Sequence, residues 1–167
     1  MKKLLIVCGL VGAFVIGFWS VSAAPSNFAG TWVLDKSKSE GLQGAMANAD
    51  VTWVVTQDDK QLSYDSKISG GGQDFTQNYI YKLDGSETTA DVTGRLPGKA
   101  TRKAKWMDDG KILELNQVLN ANFQGNDVTI TTKDHWELAD GGKALKVHRT
   151  TESPRGTQEV KYTFNKK

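Results

Sequence analysis

An all-β fold, an antiparallel up-and-down meander β-barrel of 8–10 strands, is what this sequence predicts, and three observations predict it. First, aspartate–glycine pairs recur at Asp84-Gly85, Asp109-Gly110 and Asp140-Gly141, each between runs rich in β-formers. That pairing is the strongest short-range hairpin signal. Second, turns at Asp58-Asp59, Gly70 to Gly72, Gly94 to Gly98, Asn122 to Asn126 and Pro154-Arg155-Gly156 complete a regular division of the chain. Short strands at even spacing with short connections indicate a meander. Third, registers set by the turn centres place the apolar residues of both strands of each hairpin on one face. A one-residue slip would reverse every side chain, so this agreement supports the registers.

The elements follow in order. Residues 1–23 read as a secretory signal: Lys2 and Lys3 give the charged start, Leu4 to Trp19 the apolar run, and Val21-Ser22-Ala23 a small-residue cleavage site. The cut falls after Ala23, and an uncleaved N-terminal anchor is the alternative. Removing 23 of 167 residues leaves 144, one domain spanning 24–167. The expected location is secreted or periplasmic. Ten candidate strands follow at 28–35, 51–57, 61–69, 74–83, 86–93, 99–107, 111–120, 127–138, 143–151 and 157–165. Between the first two lies an insert, Lys36 to Asp50, with no strand pattern, in which Gln43 to Asn48 can form a short helix.

Register arithmetic gives specific pairs. Around Asp109-Gly110, Trp106 faces Leu113, Ala104 faces Leu115 and Arg102 faces Gln117. Around Asp84-Gly85, Tyr81 faces Thr88 and Tyr79 faces Ala90. Around Asp140-Gly141, Trp136 faces Leu145, Asp134 faces Val147 and Thr132 faces Arg149. Around Asp58-Asp59, Val55 faces Leu62 and Trp53 faces Tyr64. Around Pro154-Arg155, Arg149 faces Val160 and Val147 faces Tyr162. The inward face then carries these apolar residues with Trp32, Leu34, Ile68, Phe75, Leu119, Val128, Ile130 and Phe164. The outward face carries Lys103, Lys105, Lys133, His135, Glu137, Lys146, His148, Glu159 and Lys161, which belong in water and exclude membrane insertion. A ten-strand meander must close or hide its edges, and a barrel of this size can hold one small ligand.

Gly30-Thr31-Trp32 on the first strand, the meander after it and the secretory signal together resemble bacterial secreted lipocalin-like domains of the calycin superfamily. The resemblance covers about Asn27 to Asn165. It implies that Trp32 plugs the closed end of the barrel, with Gly30 letting the strand bend, and that an arginine of the last strand covers the tryptophan. No inward arginine lies on that strand; Arg149, one strand earlier, is the nearest match. Fatty-acid-binding proteins are similar in strand number, in the Gly-Thr-Trp start and in a helical insert. Here the insert is too short for their paired-helix lid, and Val160 stands where their last-strand arginine precedes a tyrosine. Their ligand mode is therefore not carried over.

The expected function is non-catalytic binding of a small hydrophobic or amphiphilic ligand, in its specific form an anionic lipid-like one. A packed barrel serving as an interaction or structural module of the cell envelope is the alternative. Arg102 and Arg149 point inward among apolar residues, and a buried guanidinium needs a partner. A ligand carboxylate or phosphate would satisfy both. Asp134 or the Trp32 ring would satisfy Arg149 structurally, and Gln117 would satisfy Arg102 in part. Tyr64, Tyr79, Tyr81 and Tyr162 bring hydroxyls inward, and Trp53, Trp106, Leu113 and Leu115 supply apolar wall. Each of these side chains also has an ordinary core reading.

Other classes find no support. Without residues 1–23 the chain has 19 basic and 19 acidic residues, so nothing favours nucleic acid as a partner. No cysteine follows Cys8, which excludes disulfides and thiolate chemistry. His135 and His148 fall on the outward face, each expected opposite a lysine, and no catalytic pair, metal cluster or cofactor motif is found.

Overall fold

Pairing of the first strand with the last curls this chain into a barrel. The computed structural model describes residues 24–70, 73–93 and 96–167, so the expected signal segment and its cleavage site lie outside the described residues. Ten strands form one antiparallel sheet: β1 (Gly30–Leu34), β2 (Asp50–Gln57), β3 (Gln61–Gly70), β4 (Gln73–Lys82), β5 (Thr88–Val92), β6 (Gly98–Met107), β7 (Ile112–Phe123), β8 (Asn126–Ala139), β9 (Ala144–Ser153) and β10 (Gly156–Lys166). Their order across the sheet is β4-β3-β2-β1-β10-β9-β8-β7-β6-β5. The insert holds a 3-10 turn at Lys36–Lys38 and a four-residue helix, α1 (Ala45–Asn48). Asp35 caps the 3-10 turn, accepting from the Ser37 backbone N–H at 3.1 Å and from its hydroxyl at 2.6 Å. The bonds from Ser37, Asn165 and Lys38 hold its carboxyl well below the usual carboxylate range.

The barrel does not close through a ladder. The strands β4 and β5 are the two ends of the sheet, so the expected hairpin pairing Tyr81 with Thr88 and Tyr79 with Ala90 is absent. Asp84 closes its own turn instead, its side chain accepting from the Ser86 backbone N–H at 2.8 Å. The following strand is only five residues long and pairs with Gly98 to Arg102 of β6. Among the described residues one hydrogen bond spans the gap, from the Thr88 hydroxyl to the Ile80 carbonyl at 2.8 Å.

Two expected registers are displaced by two residues. Val55 pairs with Tyr64 and Trp53 with Ser66, because 58–61 form a wider turn in which Asp58 accepts from the backbone N–H groups of Lys60 and Gln61. Asp134 pairs with Arg149 and Trp136 with Val147, because the loop runs from Asp140 to Lys143 through three successive left-handed residues, Asp140, Gly141 and Gly142. A shift of two preserves the face, so the inward sets survive. The registers around Asp109-Gly110 and Pro154-Arg155 are as expected, with Arg102 opposite Gln117 and Arg149 opposite Val160.

Trp32 is fully buried at the closed end, and its Nε1 donates to the Phe28 carbonyl at 2.8 Å. The covering cation is Lys166, not Arg149: Lys166 pairs with Trp32 across the β1–β10 ladder and sets its Nζ 5.1 Å from the ring centroid. Gly30 has φ +143°, and a Cβ there would come within 2.7 Å of the Lys166 Cε. Gly30→Ala should therefore cost about 1–3 kcal/mol through backbone strain. A urea midpoint unchanged from wild type would show that the strand end relaxes freely.

Candidate functional site

The closed half of the barrel is solid. Trp53 stacks on Trp136 with centroids 5.1 Å apart and lies 4.2 Å from Phe164 and 5.1 Å from Tyr64. Phe28 meets Trp136 edge-on at 5.8 Å and stacks on Trp106 at 6.1 Å. Tyr81, Leu113 and Leu115 are buried in the same cluster. Thus Trp53, Tyr64, Tyr81, Trp106, Leu113 and Leu115 pack on one another or against this core. Phe28 was not among the expected inward residues, although it shares the period-two parity of Trp32 and Leu34; it lies two residues ahead of β1 and is fully buried.

A polar layer caps this aromatic block. Arg149 Nε and Nη2 donate to the two Asp134 oxygens at 2.7 and 2.6 Å, a bidentate pair made possible by the direct cross-strand register. The guanidinium lies 5.4 Å from the Tyr162 centroid and 5.9 Å from that of Trp53. Burial opposes the Arg149 charge, but the Asp134 carboxylate and its hydrogen bonds more than offset this and raise the pKa well above the ordinary arginine value. Arg102 is 3% exposed. Its Nε donates to Gln117 Oε1 at 2.7 Å, and it sits 4.7 Å over the Tyr79 ring. Tyr79 donates its hydroxyl to Gln77 at 2.9 Å and stacks on Tyr64 at 4.6 Å. Burial pushes the phenol pKa values of Tyr64, Tyr79 and Tyr81 upward, so these hydroxyls stay neutral. The layer therefore holds two arginines against one carboxylate. Among the described residues Arg149 has the acid and Arg102 has none.

Among the described residues, two cavities border the open half. One, at the mouth, has a volume of about 490 Å³ and is lined by Leu96, Phe123, Val128, Ile130, Thr151 and Arg155, with Ser153 and Pro154 at its edge. Its wall comes from inward positions of β7, β8 and β9 beyond the polar layer. The other, about 470 Å³, runs along the gap between β4 and β5, with Arg102 in its wall. Phe75, expected inside, is 47% exposed there, because β4 pairs with β3 on one edge only and no strand covers the other. Of the residues expected to line a ligand site, Arg102 alone borders either cavity. The mouth residues were legible in part: Val128 and Ile130 follow the inward alternation and Phe123 is an apolar turn tip. Nothing in the sequence separates a packed inward position from a hollow one.

The outer face differs from expectation in one respect. His135 pairs with His148, not with a lysine, because of the register shift. His135 Nε2 lies 3.0 Å from Glu114 and His148 Nε2 lies 3.6 Å from Glu159. Among the described residues no group of three or more His, Cys, Asp or Glu side chains is placed to hold a metal ion.

No protein-family model matches the sequence, and no curated protein matches it. Solved structures do. The REP1-NXSQ fatty acid transporter superposes with a TM-score of 0.53 at 18% identity, covering 83% of this chain and 95% of its own. Human cRBP IV gives 0.53 at 18% identity, covering 86% and 100%. A zebrafish ileal bile acid-binding protein complexed with cholic acid gives 0.53 at 15% identity, covering 84% and 98%. At these identities the likeness is one of fold. The chain is a nearly closed ten-strand up-and-down barrel, like that of the fatty-acid-binding proteins in fold.

The ion pair makes a measurable prediction. Asp134→Ala leaves the Arg149 charge buried without its partner and should destabilise the protein by about 3–5 kcal/mol. The double variant Asp134→Leu/Arg149→Met should recover most of that loss. Urea unfolding compares them; equal stability of the single and double variants would show that the pair is not coupled.

Proposed function

We propose that this protein binds a small apolar or amphiphilic molecule in the open half of its barrel. The observation that carries the reading is the mouth cavity of about 490 Å³ on the inner face of the sheet. The apolar body would lie against Leu96, Phe123, Val128 and Ile130, and the polar end against Thr151, Ser153 and Arg155. An apolar concavity with a few convergent polar groups is the usual form of a ligand site. Burial of an apolar body supplies the affinity, and Arg155 at the rim favours an anionic head. The likeness to a fatty acid transporter and to a barrel holding cholic acid supports this class of ligand. The packed aromatic half confines the ligand to the outer part of the barrel, so the site suits a shorter occupant than a fully hollow barrel would.

Titration with a long-chain fluorescent fatty acid and its methyl ester tests the reading. Ile130→Asp puts a charge into the apolar wall and should weaken both ligands by about tenfold or more. Arg155→Ala should weaken the acid by about threefold and leave the ester unchanged, as fits an exposed charge. Unchanged binding in Ile130→Asp would place the ligand elsewhere.

A further inference from the structure

The gap between β4 and β5 has features that an amphiphile site does not need. Two strand edges face each other across it with no ladder between them. Its lining includes consecutive residues, 75–78 on one side and 88–93 on the other. A cavity walled by side chains of one face would show alternate residues. Consecutive ones mean that it runs along the backbone itself. The Leu83 N–H donates to the Lys60 carbonyl on the β3 side, and the Ile80 carbonyl points the other way, to Thr88. By alternation, Thr76, Asn78 and Ile80 turn their main-chain groups into the gap. Apart from the Ile80 carbonyl, which Thr88 occupies, these groups have no main-chain partner among the described residues.

Arg102 is at the inner end of this gap. It is 3% exposed, borders the cavity, and among the described residues has an amide as its side-chain partner and no carboxylate. A buried guanidinium of this kind is a site for an anion. The Thr88-to-Ile80 hydrogen bond bars the gap at the level of Arg102, since Thr88 pairs with Arg102. A chain entering from the open end therefore has to stop there.

We propose that the gap binds the C-terminal end of an extended peptide as an added strand, with the terminal carboxylate on Arg102. The peptide runs antiparallel to β5 and parallel to β4. About five residues match the length of β5. Main-chain hydrogen bonds to Thr76 and Asn78 and to the β5 edge hold it, and every second side chain packs on Phe75, Ala90 and Val92. Strand addition to an open sheet edge gives affinity through the main chain and specificity through alternate side chains. The carboxylate supplies the charge that the polar layer lacks. This site is separate from the mouth cavity and does not rest on the ligand proposed there.

The test uses the purified protein and two pools of N-acetylated pentapeptides with Val, Ile or Thr at alternating positions. One pool ends in a free carboxylate and the other in an amide. The free-acid pool should bind saturably and slow hydrogen exchange at the amides of Thr76, Asn78 and β5. Amidation should weaken binding by about tenfold or more, as should Arg102→Gln, the size expected for a lost charge-assisted hydrogen bond. Thr76→Pro removes an edge N–H at a position where proline is tolerated. It should abolish peptide binding and leave fatty-acid binding at the mouth unchanged. The proposal is overturned if neither pool binds up to about 1 mM, if acid and amide bind equally, or if binding brings no protection on β4 and β5. Should Arg102→Gln fail to fold, the acid–amide comparison on the wild type still decides.

Discussion

The aromatic block centred on Trp53 is the constraint on which the rest of this barrel depends. Its members come from distant places in the sequence: Trp53 from β2, Tyr64 from β3, Trp136 from β8, Phe164 from β10 and Phe28 from ahead of β1. Each such ring removes about 150–250 Å² from water, or roughly 4–6 kcal/mol at 25 cal/mol per Å² as an upper value. No disulfide can assist, since the sequence has no cysteine after Cys8. Stability therefore requires that half of the interior be filled, and filling it decides where the hollow half lies. Packed and hollow interior are divided along the barrel axis.

The polar layer marks that division. Ions seldom lie on an aromatic core without a partner, because desolvation is costly. Arg149 meets the cost through a bidentate carboxylate and two ring faces. Arg102 has an amide and one ring. The two arginines look alike in the sequence, each inward and each among apolar neighbours. What separates them is one carboxylate, and the separation assigns one to architecture and leaves the other facing a cavity.

How much of this the sequence carried depends on whether the information was local. Strand positions and faces were legible because turn chemistry and period-two alternation are written into neighbouring residues. Two registers were displaced by two residues because Asp58 and Asp140 head four-residue turns where tighter ones were expected. That displacement turned an expected diagonal neighbour of Arg149 into a direct partner. The cover on Trp32 was sought as an arginine on the last strand; Lys166, at the end of that strand, supplies the same charge over the ring. The sequence indicated a closed or nearly closed barrel, but not which pair of strands stays open. Whether β4 and β5 pair depends on the curvature accumulated over ten strands, and Asp84-Gly85 reads locally like any other hairpin turn. Cavity position was likewise hidden, since Tyr64 and Ile130 follow the same alternation yet one is packed and the other lines a hollow.

The failure to close has a consequence for how the open half is organised. Ala100, Leu119 and Ala121 form a small second core, packed against Val92 on the gap side and against Leu96, Val128 and Ile130 on the mouth side. This apolar wall sits between the two cavities, so an occupant of one touches side chains that support the other without sharing its space. Small residues make the wall thin: two of its three buried members are alanines. Cores resist compression, and a thin, close-packed partition transmits displacement better than a mobile one. Coupling between two such sites needs a differential contact in each occupied state. Val92 borders the gap and Leu96 the mouth, so the two cavities share this wall without sharing a lining residue.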